Sequence, residues 1–238
     1  MTKSSGVGRA SIVILTGAGI SQESGVATFR DKGGIWEQNR IEDVATPAAF
    51  RRDKARVQAF YNARRAALRD PAIAPNAAHL ALARLQRDYA GDVKLVTQNV
   101  DDLHERAGSA ALHMHGALAE ARCLRCAGVA AWAEDILPES RCPACGAAAL
   151  RPNVVWFGEM PFFMDEIELA LSRCGVFIAI GTSGQVYPAA GFINAVAGRA
   201  RCFELTMEKS AVSPLFDERH FGLATQTVPA LVERLLAG

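Results

Sequence analysis

Four cysteines in two close pairs, Cys123 and Cys126 in CLRC and Cys142 and Cys145 in CPAC, have a spacing that implies chemistry directly. Each Cys-x-x-Cys pair spans one edge of a tetrahedron, and a gap of about fifteen residues between pairs is that of zinc ribbons. Four thiolates leave no open coordination position. The expected ion is therefore one structural Zn2+, holding together a segment too small for a core of its own. Cys174 and Cys202 stand apart in apolar surroundings and read as core residues.

Three further stretches carry polar groups suited to a ligand. In TGAGIS, Gly17 and Gly19 close an apolar run, where backbone amides and a helix N-terminus can approach a pyrophosphate without an intervening Cβ; a turn needed only for tight strand-to-helix packing would look the same. Gln22 stands where a third glycine would complete the dinucleotide fingerprint, and no acidic residue marks the end of a second strand, which argues against hydride transfer. TQNVDDLHERAG, Thr97 to Gly108, follows the run VKLV. It offers Gln98, Asn99 and Asp101 either to a ribose or carboxamide or, for the latter two, as caps of a helix starting near Asp102. LHMHG, Leu112 to Gly116, places a histidine beside a glycine, where it is either structural or a base near neutral pH.

These groups need a scaffold, and the apolar pattern supplies one. IVIL, VKLVT, VVWF, VFIAIG and RCFELT are strand-length apolar runs of the kind found in parallel sheets covered on both faces. Pro188 to Gly198 and Val228 to Leu236 have helical spacing, so the class is α/β. Two segments break the rhythm: the Arg- and Ala-rich stretch Thr46 to Asp70, and the stretch Ala119 to Leu150 with the paired cysteines. The expected organisation is a Rossmann-like domain from 1–45, 77–118 and 151–238, with a helical insertion at 46–76 and a zinc-binding insertion at 119–150. With 26 Lys and Arg against 25 Asp and Glu, the overall charge demands neither nucleic acid nor a membrane surface. No apolar run reaches the roughly 18 residues of a membrane span, and the expected compartment is the cytoplasm.

Taken in order, GAGISQESGVATFRD, TQNVDDLHERAG, LHMHG, the paired cysteines, RPNVVWFGEMP and GTSGQVYPAA resemble the sirtuins, the NAD-dependent protein lysine deacylases, over nearly the whole chain. The resemblance implies that Gly17, Ala18, Gly19 and Ser21 cradle the pyrophosphate of NAD, with Phe29 and Arg30 on a loop closing over it. It places Gln98 at the ribose, Asn99 and Asp101 at the nicotinamide, Gly181, Thr182 and Ser183 along the adenosine, and Ala224 at the adenine. Thr206 stands where many members carry Asn. The acyl-lysine oxygen would attack the ribose as nicotinamide leaves, and His115, chosen over His113 because it directly precedes Gly116, would be the general base that lets the 2′-oxygen take the acyl group. The products would be free lysine, nicotinamide and 2′-O-acyl-ADP-ribose. Val155, Phe157 and Gly158 would pair with the substrate backbone by strand addition.

Tyr61 and Arg64, spaced i and i+3 in VQAFYNARRAAL, share a helix face. Among Arg51, Arg52, Arg56, Arg65 and Arg69 they read as a solvated basic face. The resemblance suggests instead the subgroup that accepts succinyl- and malonyl-lysine, since a guanidinium and a phenol can bind a distal carboxylate. The partners implied are acylated lysines of proteins; the sequence leaves substrates and oligomeric state open. The competing readings are a protein ADP-ribosyltransferase on the same NAD site and a deacetylase without acidic-acyl preference.

Overall fold

The computed structural model describes residues 9–27 and 40–238. Its main sheet has six parallel strands: β1 (Ile12–Thr16), β2 (Val93–Thr97), β3 (Ala111–His113), β7 (Val176–Ile180), β8 (Arg201–Thr206) and β9 (Glu218–Phe221), in the order β3-β2-β1-β7-β8-β9. A smaller antiparallel sheet joins β4 (Gly116–Cys123), β5 (Val129–Ala131) and β6 (Leu150–Val154) in the order β5-β4-β6. The helices among the described residues are α1 (Gly19–Gln22), α2 (Ile41–Val44), α3 (Pro47–Arg52), α4 (Lys54–Leu68), α5 (Ala77–Asp88), α6 (Leu103–Arg106), α7 (Met164–Arg173), α8 (Phe192–Val196) and α9 (Ala224–Ala237).

Strand alternation divides the core in two. Val13 and Leu15 of β1 face Phe177, Ala179, Cys202 and the apolar side of α7 and α8, while Ile12 and Ile14 face Ile178, Phe203 and the apolar stripes of α5 and α9. Cys174 and Cys202 are buried in the first of these clusters, as expected of core residues.

Two expectations need correction. The strand anticipated at VVWF lies earlier, at Leu150–Val154. Pro152 is tolerated inside this strand because β6 is an edge strand and needs no N–H there. The helix anticipated from Pro188 to Gly198 is a 3₁₀ turn at Ala189–Gly191 followed by α8. The Arg-rich segment is two helices broken at Asp53, whose side chain caps α4 by accepting from the Arg56 N–H (2.9 Å).

The Arg-rich helices and the cysteine segment pack on each other. Val44, Phe50, Val57 and Tyr61 share a core with Leu118 of β4, Val154 of β6 and Trp156. Polar side chains of α4 tie it to that sheet: Gln58 donates to the Leu150 carbonyl (3.2 Å), Asn62 exchanges two bonds with Ile136 (3.0 and 2.9 Å), and Arg65 donates to the Leu118 carbonyl (2.7 Å). Arg65 is thus buried rather than part of a solvated face.

Candidate active site

The strand order reverses between β1 and β7, and in open α/β sheets the crevice at the carboxyl ends of such a pair is where ligands bind. Gly17 and Gly19 leave β1 there, and Gly181 leaves β7. A Cβ on Gly17 would lie 2.7 Å from the Gly181 oxygen, one on Gly19 would lie 2.7 Å from the Gly181 Cα, and Gly181 itself has φ +59°. The glycines therefore let two turns interlock, and the crevice is shaped by that contact. Ala18 and Thr182 are half-buried beside it and Ser183 is exposed. The Gln98 side chain crosses the crevice and donates to Thr182 Oγ1 (3.0 Å).

His115 stands beside this crevice, fixed from two sides. Its carbonyl accepts from the Val155 N–H (2.8 Å), and its Nδ1 lies 3.1 Å from the Gln98 carbonyl. A carbonyl can only accept, so Nδ1 carries the proton and Nε2 the lone pair. Burial lowers the His115 pKa against the opposing effect of the Gln98 bond, so the imidazole is neutral near pH 7. A half-buried neutral imidazole with a lone pair at Nε2 is equipped as a general base. Gly116 must be glycine: with φ +79°, a Cβ would fall 1.9 Å from the Asn153 oxygen in β6. His113 is structural, bonded to the Asn99 carbonyl (3.0 Å) and to Glu105 (3.0 Å). Burial opposes its protonation, but Glu105 raises its pKa overall.

Asn99 and Asp101 are buried against Ser21. Asn99 Nδ2 donates to Ser21 Oγ (3.1 Å), and Asp101 Oδ1 accepts from the Leu103 N–H (3.2 Å) at the start of α6. The N-cap position itself is Asp102, whose side chain makes no capping bond, so Asp101 turns the chain into α6 from one residue earlier. Desolvation raises its pKa, so its carboxyl is drawn towards the protonated form. The Ser21 hydroxyl is committed to this network rather than to the open side of the glycine turn. Beneath it lie His79 and His104, both fully buried, with rings 4.9 Å apart. His79 Nε2 lies 3.5 Å from Ser21 Oγ, and His104 Nε2 lies 3.0 Å from Thr16 Oγ1, which also bonds to Thr97 Oγ1 (2.9 Å). Burial pushes His79 down to about 4 and His104 down to about 3. Sequence reading missed both histidines; the signals were His79 three residues after the cap Asn76, and His104 within DDLHERAG.

Tyr61 and Arg64 do share a face of α4. Tyr61 is buried, and its hydroxyl accepts from Trp156 Nε1 (3.0 Å). Desolvation lowers the pKa of Arg64, and its guanidinium lies over the Phe60 and Tyr61 rings (5.7 and 6.0 Å to their centroids). The loop after β6 runs past this face. Phe157 N–H donates to the Ala45 carbonyl (3.0 Å), Phe157 and Gly158 are exposed, and Gly158 has φ +88°. The loop is clamped by Arg151, which sits 3.3 Å over the Trp156 ring and forms a two-pronged pair with Glu159 (2.7 and 2.9 Å). Arg151, Trp156 and Glu159 were also missed, because a buried clamp has no spacing signature.

The four cysteine sulfurs lie within 4.8 Å of one another, with Cys123 to Cys145 and Cys126 to Cys142 both at 3.7 Å. Tetrahedral Zn–S bonds of about 2.3 Å set sulfurs about 3.8 Å apart, so the cluster fits zinc. Among the described residues no helix is long and apolar enough to cross a membrane. Ala224 begins α9 with its side chain largely buried in the core, where Thr225 is held by Glu23 (3.0 and 2.6 Å). Phe29 and Arg30 lie outside the described residues.

A model of the Sir2 family matches residues 17–188. The chain is 56% identical over 230 residues to an NAD-dependent protein deacylase of Escherichia coli (strain K12), covering 95% of this chain and 82% of the relative. A solved complex of a Sir2 homolog with NAD superposes with a TM-score of 0.85 at 39% identity, covering 94% of this chain and 89% of that one. A Sir2 variant solved with a deacetylated p53 peptide and 3′-O-acetyl-ADP-ribose superposes with a TM-score of 0.81 at 27% identity, covering 96% and 94% of the two chains.

Proposed function

The chain belongs to the Sir2 family and is an NAD-dependent protein deacylase acting on acylated lysines of proteins, and we propose that its acyl pocket takes succinyl- and malonyl-lysine as well as acetyl-lysine. The carrying observation is the face of α4, where the half-buried Arg64 guanidinium lies over the Tyr61 ring (6.0 Å to its centroid) and the Tyr61 hydroxyl is held by Trp156 (3.0 Å). A distal carboxylate there gains charge-assisted bonds that an acetyl methyl cannot form.

The residues fit NAD. The interlocked glycine turns at the switch point leave a crevice beside the half-buried Ala18 and Thr182 and the exposed Ser183, and Asn99 with a carboxyl drawn towards protonation offers donors and acceptors to a carboxamide. NAD, when bound, would supply a ribose carbon with nicotinamide as its leaving group and the acyl oxygen as its incoming partner. Gln98 bridges the two sides of the crevice and orients His115 through its carbonyl. His115 Nε2 takes a proton from a ribose hydroxyl, and the neutral imidazole is ready to do so because burial disfavours its charged form. Val155, Phe157 and Gly158 present the edge to which an extended substrate backbone adds, which tolerates many sequences. The four cysteines would hold one structural Zn2+, with four thiolates leaving no open position for catalysis.

The test is one peptide carrying acetyl-, succinyl- or malonyl-lysine, incubated with and without NAD, following nicotinamide release and peptide mass. Removal of succinyl and malonyl groups that depends on NAD supports the reading; removal of acetyl alone refutes the acidic-acyl pocket.

A further inference from the structure

The acyl pocket has a hidden support. Trp156 is 2% exposed, packed against Phe50 (5.2 Å between centroids) and under Arg151, so its indole has one orientation. Its backbone N–H donates to Glu159 Oε2 (2.8 Å), and Arg151 also donates to the Val154 carbonyl (2.6 Å), which locks the loop at both ends. Its Nε1 lies 3.0 Å from the Tyr61 hydroxyl.

An indole N–H can only donate, so Tyr61 is the acceptor and must direct its own proton elsewhere. Arg64, one turn along the same helix, carries only donors and cannot receive that proton. The Tyr61 hydroxyl proton therefore calls for an acceptor beyond both residues, best an anion.

We propose that Trp156 is a positioning residue for acyl choice: by occupying a lone pair of the Tyr61 hydroxyl it fixes that hydroxyl as a donor to the distal carboxylate of a succinyl- or malonyl-lysine. This rests on the acidic-acyl reading above. The indole touches neither substrate nor cofactor; it acts through Tyr61. Burial also pushes the Tyr61 pKa up to about 12, so the phenol keeps the proton it is to donate.

The experiment is a double-mutant cycle with Trp156→Phe, Tyr61→Phe and the double variant, reading the ratio of kcat/KM for succinyl- over acetyl-peptide, with Arg64→Met in parallel. Trp156→Phe keeps an aromatic ring under Arg151 and removes the donor, and because the ring volume it also gives up weighs on both peptides alike, the ratio reads the donor. The expected result is a fall in the ratio of about fivefold to twentyfold in Trp156→Phe, carried by KM for the succinyl-peptide, with little further fall when it is added to Tyr61→Phe. Equal losses on both peptides, or effects that multiply in the double variant, would mean a purely structural role and overturn the proposal. If Arg64→Met and Tyr61→Phe lower the ratio and Trp156→Phe does not, the proposal falls and the pocket reading survives. If none of the variants moves the ratio, both fall.

Discussion

Lowering the pH from about 7.5 to about 5 is expected to remove several kcal/mol of folding stability through two histidines that never meet solvent. His79 and His104 are each 0% exposed, and burial, the largest cause for both, holds them at about 4 and about 3 against 6.5 for a free side chain. Because their folded-state pKa values lie below the unfolded ones, the stability is fully present above about pH 6.5 and is lost as the pH falls towards the folded values. At about pH 5 the unfolded chain has taken up both protons and the folded one neither; about 1.5 units at ~1.4 kcal/mol each gives about 2 kcal/mol per histidine and about 4 kcal/mol for the pair. That is a large share of the 5–15 kcal/mol or so by which domains are usually stable. His113, whose folded pKa is raised, contributes in the opposite sense, so the comparison must be between variants. Replacing His104→Asn keeps a donor near Thr16 and removes one titration, so the loss between the two pH values should shrink by about 2 kcal/mol. Urea unfolding in zinc-saturated buffer at both pH values measures this, and the His104 ring resonance should not titrate above about pH 5. A variant that loses as much as the wild type, or a His104 resonance that titrates near 6.5, would refute the reasoning.

Other outcomes follow from the same geometry. Arg64→Met should lower the succinyl-to-acetyl ratio of kcat/KM by about tenfold or more, since a charged hydrogen bond contributes about 1.5–3 kcal/mol, and competition assays with the two peptides would measure it. His115→Ala should reduce turnover by about 100- to 10,000-fold with little change in Tm, and the wild-type kcat/KM should rise with pH along a limb centred below about 6.5, because burial lowers the His115 pKa. Gly116→Ala should destabilise the protein by more than ~3 kcal/mol or prevent folding, because its Cβ would meet the Asn153 oxygen at 1.9 Å; a soluble, active variant with unchanged Tm would contradict the β4–β6 register. Purified protein should hold one equivalent of zinc by mass spectrometry, and Cys126→Ser should lose both the metal and thermal stability.

The sequence determined whatever depends on local spacing or on an unbroken run. The parallel strands at IVIL, VKLVT, VFIAIG and RCFELT follow from apolar runs that only a doubly covered sheet can bury, and the cysteine cluster follows from two Cys-x-x-Cys pairs. Tyr61 and Arg64 were placed on one face by helical periodicity alone. Tertiary structure decided which of several similar residues does what. Arg65 looked like its neighbouring arginines until Leu118 and Asn62 received its donors, and Pro152 masked a strand because only topology reveals which edge lacks a partner. His113 and His115 are both flanked by strand-like residues; what separates them is that Glu105 and Asn99 occupy both nitrogens of one, while Gln98 takes only Nδ1 of the other. The same holds for the buried pair His79 and His104 and for the Arg151–Trp156–Glu159 clamp. Their chemistry is set by desolvation and by partners far away in the chain, and neither quantity exists until the chain has folded.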